Sequence, residues 1–314
     1  MNDMTHQFLH FIRLERGMRR WRMVAIFSVI ALIVVAWGGH FSASSSAMLH
    51  SAEQAHIARI SVEGMILEDD YANDILADIA ADKHVKGAIV TIDSPGGTMV
   101  GGLSLYRGLR RISEAGKPVT VVMKTVAASG GYLAAIGADH IFANEGTLTG
   151  SIGVILPSVD VTELADKVGV ASNDVVSGDL KAVTNPLQPR TAKAQAYLQE
   201  VVNELNEVFY RYVVERRALA DDVVAKVKDG RVVVGTQAVE MGLVDALGDM
   251  FDAKKWLVKK AALADNIPVL DYALEEPRPW LQRALEGSVS VGVGALLQEL
   301  GVAVKQTGAL AVLR

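Results

Sequence analysis

The stretch Thr125-Val126-Ala127-Ala128-Ser129-Gly130-Gly131-Tyr132 decides how this chain reads. It follows an apolar strand, Val119-Thr120-Val121-Val122-Met123, which is β-branched and starts just after the breaker Pro118. It opens a run of small residues, continued by Leu133-Ala134-Ala135-Ile136-Gly137-Ala138, that reads as a buried helix able to lie close to a sheet. A serine at such a junction sits where helix N-terminal N–H groups and the positive dipole end favour developing negative charge. Ser129 is therefore the candidate nucleophile. Serine is also a preferred N-cap residue, and taken alone the octet reads more readily as a cap than as a catalyst.

Outward from the octet, strand and helix alternate. Upstream lie a strand from Ile57 to Val62, a helix from Tyr71 to Asp82, a strand from Gly87 to Asp93 and a helix from Leu103 to Ser113 with Leu105, Leu109 and Ile112 on one face. Downstream come a short strand His140-Ile141-Phe142-Ala143, a Gly-spaced turn running into an apolar strand at Ile152 to Ile155, and a helix from Val161 to Val168. A long helix from about Ala192 to Arg217, a short one from Ala220 to Lys228 and another around Phe251 to Leu263 follow. Ile267-Pro268-Val269-Leu270 reads as an edge strand, because proline lacks the ladder donor. This order predicts an α/β protein with a mostly parallel sheet covered by helices and ligands at the carboxyl ends of the strands. Ser94-Pro95-Gly96-Gly97 and Ala128-Ser129-Gly130-Gly131 both stand at such ends and converge on one crevice.

The 314 residues are 50% hydrophobic, enough for a substantial core. A formal net charge of -5 disfavours nucleic acid as a partner. With no cysteine, disulfides, thiol catalysis and Cys-ligated metals are excluded. His6 and His10 alone have a ligand-like spacing, with no third ligand placed to complete a site, so no metal is expected. Neither G-x-x-x-x-G-K-[ST] nor G-x-G-x-x-G occurs, which leaves no nucleotide cofactor to expect.

The N-terminus carries a membrane signal. Within the basic N-terminus, residues 1–22, the stretch from Phe11 to Arg22 carries Arg13, Arg16, Arg19, Arg20 and Arg22 against a single Glu15, and from Met23 to Ala52 there is no Lys, Arg, Asp or Glu. Residues 23–39 are read as a transmembrane anchor flanked by Trp21 and Trp37, with the basic side cytoplasmic. A cleaved signal peptide is the alternative, given the small residues Ser42 to Ala47. Either way the following domain is exported. Residues 40–55 read as a linker, 56–265 as the main domain, and 266–314 as a C-terminal extension of unassigned role.

A serine nucleophile needs a base and an oxyanion site. His140 opens a strand and reads as a packing or capping residue. A lysine serves if it is neutral, and Lys124, Lys167, Lys181 and Lys193 are in range; the loop setting of Lys181 favours it weakly. Gly96 and Gly97 allow close backbone approach, and Gly130 places an N–H beside Ser129.

Five motifs now carry a resemblance: Asp93-Ser94-Pro95-Gly96-Gly97, Ala128-Ser129-Gly130-Gly131-Tyr132, Thr149-Gly150-Ser151-Ile152-Gly153-Val154, Ser177-Gly178-Asp179-Leu180-Lys181 and Gly242-Leu243-Val244-Asp245. In order and spacing the chain resembles the signal peptide peptidases of peptidase family S49, on a ClpP/crotonase-like fold, over roughly residues 56 to 265. The resemblance implies Ser129 as nucleophile, Lys181 as general base and Ser151 as the hydroxyl orienting the lysine. It implies an oxyanion hole from Gly130 and from Gly96 or Gly97. Short chains of this kind resemble ring-forming homo-oligomers whose dyad is completed between neighbouring subunits. The expected function is a membrane-anchored endopeptidase, its domain periplasmic, degrading released signal peptides and other unstructured apolar segments. Its activity is expected to fall in acid, where a lysine base is charged. A scaffold that has kept the fold without proteolysis and a crotonase-type acyl-CoA enzyme are the alternatives; the intact Ser129, Lys181 and Ser151 argue against the first and an exported domain against the second.

Overall fold

A computed structural model describes residues 54–275. The expected anchor at 23–39, the basic segment before it, nearly all of the linker and most of the C-terminal extension lie outside the described residues. No helix among those described is long and apolar enough to cross a membrane.

Eight strands build one sheet. They are β1 (His56–Ile66), β2 (Val85–Gly97), β3 (Val119–Ala128), β4 (His140–Ala143), β5 (Leu148–Gly150), β6 (Val232–Val234), β7 (Ala246–Leu247) and β8 (Val269–Tyr272). The order is β6-β5-β3-β2-β1-β8, with β4 pairing β3 and β7 beside this path. Every pairing is parallel except that of β5 with β6, so the expected mostly parallel α/β sheet is found. Central β2 reads Ala88-Ile89-Val90-Thr91-Ile92 without alternation because both of its faces are covered.

The helices between them are α1 (Asp70–Ala81), α2 (Met99–Glu114), α3 (Gly130–Ala135), α4 (Thr162–Lys167), α5 (Ala192–Arg216), α6 (Asp221–Val227), α7 (Gly235–Glu240) and α8 (Met250–Lys260). Asp69 caps α1, its carboxylate accepting the Ala72 N–H at 3.2 Å, and Ala72, Leu76 and Ile79 recur along its buried face. Thr98 caps α2 in the same way through the Gly101 N–H. The period of two in the strands splits the core. Ala58, Val90 and Val121 face α1, α2, α3 and α5, while Ile57, Ile89 and Val122 face Ala253 and Leu257 of α8.

Several boundaries differ from the sequence expectations. β2 runs on past Asp93 to Gly97 because Met65 and Ile66 of β1 continue to pair with Gly96 and Gly97 beyond a bulge. β3 likewise runs to Ala128, held by β5. No strand forms at Ile152 to Ile155: Ser151 turns the chain at φ 50°, and Ile155 is 86% exposed. β8 begins after Pro268, whose carbonyl accepts the Ile57 N–H at 2.9 Å, and it does form an edge of the sheet. Through β8 the sheet continues past residue 265.

Candidate active site

Ser129 stands between β3 and α3 with φ 52° and ψ −119°, one of three non-glycine residues with positive φ among those described. An L-residue there costs of order 1–3 kcal/mol and persists only where its surroundings impose it. They do: the Ser129 N–H donates to the Gly150 carbonyl at 2.9 Å, and its own carbonyl accepts the Leu133 N–H at 2.9 Å. Its hydroxyl makes no capping hydrogen bond to α3, so the cap reading of the octet has no support here. A sharp strand-to-helix turn of this kind lifts a serine Oγ away from the backbone toward a reactant.

Ser151 is its neighbour by register. β3 and β5 run parallel with Ala128 opposite Gly150, so the next residue of each strand leaves the sheet side by side. Ser151 also has positive φ, and its N–H donates to the Arg231 carbonyl at 2.8 Å. Two strained serines thus project from adjacent strand ends.

The Gly96-Gly97 turn closes the other side. Gly96 has φ +116°, and a Cβ there would lie 2.9 Å from Ser129 Cβ and 3.0 Å from the Gly130 nitrogen. The buried Ser94 hydroxyl accepts the Gly96 N–H at 3.1 Å. A Cβ on Gly130 would in turn meet the Gly97 nitrogen at 3.1 Å. The Gly97 and Gly130 backbones therefore lie close together beside Ser129, with little room for a side chain at Gly130.

Lys181 lies on a later segment of the chain. It is exposed, in a loop where its N–H donates to the Gly178 carbonyl at 3.0 Å, and no hydrogen bond joins it to Ser129 or Ser151 among the described residues. The loop lines an open hollow of about 420 Å³ with Ser177, Gly178, Asp179, Leu180 and Lys193, and Lys193 pairs with Asp179 at 2.9 Å. The segment carrying it exposes Ile155, Val159, Leu164, Val168 and Val175 to solvent. One chain thus assembles Ser129, Ser151, Gly96, Gly97 and Gly130, while Lys181 makes no hydrogen bond to either serine among the described residues.

The last motif is structural. The fully buried Tyr132 donates its hydroxyl to the Leu243 carbonyl at 2.9 Å, tying α3 to the Gly242-Leu243-Val244-Asp245 turn, and burial keeps that phenol protonated. Asp245 accepts the Ile141 N–H at 2.8 Å and pairs with Arg217 at 3.0 Å. His140 stacks on Trp256 at 4.9 Å, as the packing reading expects. Burial, the largest cause, lowers the His140 pKa despite the nearby Asp245 carboxylate. A depressed value favours the neutral ring in the fold, so its contribution is whole above the ordinary value of about 6.5 and lost as pH falls through the lower folded value. Thermal melts of the wild type are expected to drop on acidification below that point, and more steeply than those of His140→Phe.

Sequence reading passed over the groups that hold the site. Arg231 acts through its carbonyl, which no side-chain pattern reveals. Asp93, Thr147 and Thr149 stood within or beside the quoted motifs, but their partners Val126, Lys124 and Ala127 are backbone groups of a strand distant in sequence.

A strained serine at a parallel-strand-to-helix turn, faced by a Gly-Gly backbone, has the geometry of a nucleophile elbow. The profile of peptidase family S49 matches residues 111–264, from late α2 to just beyond α8. A Synechocystis protein named as a putative protease is 37% identical over 232 residues, 74% of this chain and 83% of that one. The Enterococcus faecium protein named putative signal peptide peptidase SppA is 33% identical over 234 residues, 70% of this chain and 68% of that one. The Arabidopsis thaliana chloroplastic serine protease SPPA is 31% identical over 247 residues, 77% of this chain but 36% of the longer relative. The chain belongs to peptidase family S49 and is a peptidase of the SppA type.

Proposed function

We propose that this peptidase is a serine endopeptidase with a Ser-Lys dyad, Ser129 as nucleophile and Lys181 as general base. The observation that carries the reading is the Ser129 turn, whose φ of 52° is held from both sides and whose hydroxyl is not spent on capping. The Lys181 amine takes the Ser129 proton as Oγ attacks the scissile carbonyl and the lysine then protonates the leaving amine; water, deprotonated by the same amine, attacks the acyl-enzyme, and the proton returns to Ser129 Oγ as the acid product leaves. The Ser151 hydroxyl, beside Ser129 by register, orients the amine. The oxyanion is received by the Gly130 and Gly97 N–H groups, since the Gly96 N–H is already engaged by Ser94.

Lys181 reaches Ser129 from a neighbouring copy. Its exposure without a hydrogen bond to either serine within one chain and the exposed apolar side chains of its segment support a ring of subunits on a ClpP/crotonase-like fold. Substrates are signal peptides and other unstructured apolar peptides, as the name of the Enterococcus relative suggests. Residues 23–39 anchor the enzyme with its peptidase domain outside the cytoplasm, an assignment supported by the arginines before an uncharged stretch.

The test is hydrolysis of an unstructured apolar peptide by the detergent-solubilised full chain, alongside a folded protein as a substrate it should spare. An inactive wild type would overturn the reading. Gly96→Ala is expected to lower kcat by about 10²- to 10³-fold, as for loss of an oxyanion donor, because the new methyl crowds Ser129 Cβ and the Gly130 nitrogen.

A further inference from the structure

β3 is not one continuous ladder. Ile92 of β2 faces Met123, yet two residues later Ser94 faces Ala127, so β3 carries two extra residues between these pairings. On its other side β3 pairs with β4 as far as Met123 and with β5 only from Val126. Lys124 and Thr125 fall in the gap on both sides. The size of that gap decides which residue of β3 ends opposite Gly150, and hence which residue follows into the turn.

A bulge leaves backbone groups without ladder partners, and these must be satisfied. Two side chains take them up from opposite sides. The Asp93 carboxylate accepts the Val126 N–H at 3.0 Å, and the buried Thr147 hydroxyl donates to the Lys124 carbonyl at 2.7 Å. Thr149 adds a bond from its hydroxyl to the Ala127 carbonyl at 2.7 Å. Asp93 is the one of the three that reaches in from β2, the strand that also carries Gly96 and Gly97. Its bond therefore spans the two halves of the site.

We propose that Asp93 is a positioning residue: by accepting the Val126 N–H it locks the β3 bulge and so sets Ser129 against Ser151 and the Gly96-Gly97 turn. This rests on the reading of Ser129 as nucleophile. The carboxylate acts through the place of its oxygen and not through its charge: its hydrogen bond goes to the Val126 N–H and none joins it to either serine among the described residues. A misplacement near 1 Å at a reacting centre costs about 10²-fold in rate.

Three variants of the full chain separate these features. Asp93→Asn keeps an acceptor oxygen in place without the charge, Asp93→Glu keeps the charge and displaces the oxygen by one methylene, and Asp93→Ala removes both. The expected result is kcat within about tenfold of wild type for Asn and lowered about 10²-fold for Glu and Ala, with KM near wild type in all three. Glu equal to or better than Asn would show that charge is at work and overturn the proposal. Wild-type kcat in all three, or a raised KM with kcat intact, would overturn it too. If the Ala protein does not fold, the order of Asn and Glu still decides. Should Ser129→Ala keep hydrolysing peptide, the nucleophile assignment fails instead, independently of the Asp93 series.

Discussion

Ser129→Ala is expected to abolish peptide hydrolysis, lowering kcat/KM by about 10⁴-fold or more, because no other group at the turn can form the acyl-enzyme. The loss should come without loss of the fold. Ser129 contributes no side-chain hydrogen bond to α3, and its backbone bonds to Gly150 and Leu133 survive the substitution. Ser129→Gly is the more telling variant. Glycine adopts φ 52° without penalty, releasing about 1–3 kcal/mol of strain against about 0.5–1 kcal/mol of extra chain entropy. It should therefore be inactive and melt at or above the wild-type temperature, a separation of activity from stability that is read by pairing the peptide assay with thermal denaturation. Hydrolysis persisting in either variant would show that another residue is the nucleophile.

Lys181→Ala is expected to be as inactive as Ser129→Ala when each is assembled alone. Mixed before assembly, the two should recover activity. In a closed ring with one kind of heterologous interface, a working site needs the serine of one subunit and the lysine of the next. Random one-to-one mixing satisfies that at about a quarter of the sites, so about 25% of wild-type activity is expected. The structural basis is that Lys181 lies on an exposed loop without a hydrogen bond to Ser129 or Ser151, in a segment that also exposes Ile155, Val159 and Val175. Recovery near zero in demonstrably mixed rings would place both members of the dyad in one subunit. Undiminished activity of Lys181→Ala alone would remove it as the base. Subunit mixing is checked by differential tagging and co-purification, so neither outcome is confounded by poor assembly.

The amino-acid sequence by itself determined the class of fold and marked the two junctions that make up the candidate site. β-branched runs such as Val119 to Met123, bounded by Pro118, and amphipathic stretches such as Tyr71 to Asp82 are local signals, because burial on one or both faces writes a period into each segment. The Ser-Gly-Gly and Pro-Gly-Gly junctions are legible for a different local reason, since the backbone conformations at Ser129 and Gly96 admit few residues. Tertiary structure alone decided how far β2 and β3 run, that the chain leaves the sheet at Ser151, and that Ser129 and Ser151 emerge side by side. These depend on register between strands and on backbone groups, the carbonyls of Gly150 and Arg231 and the N–H of Val126, which every residue carries and no pattern marks. Lys181 shows the same limit one level up: its motif is plain in the sequence, but the folded chain leaves its side chain exposed and without a hydrogen bond to the serines that the resemblance implies it serves.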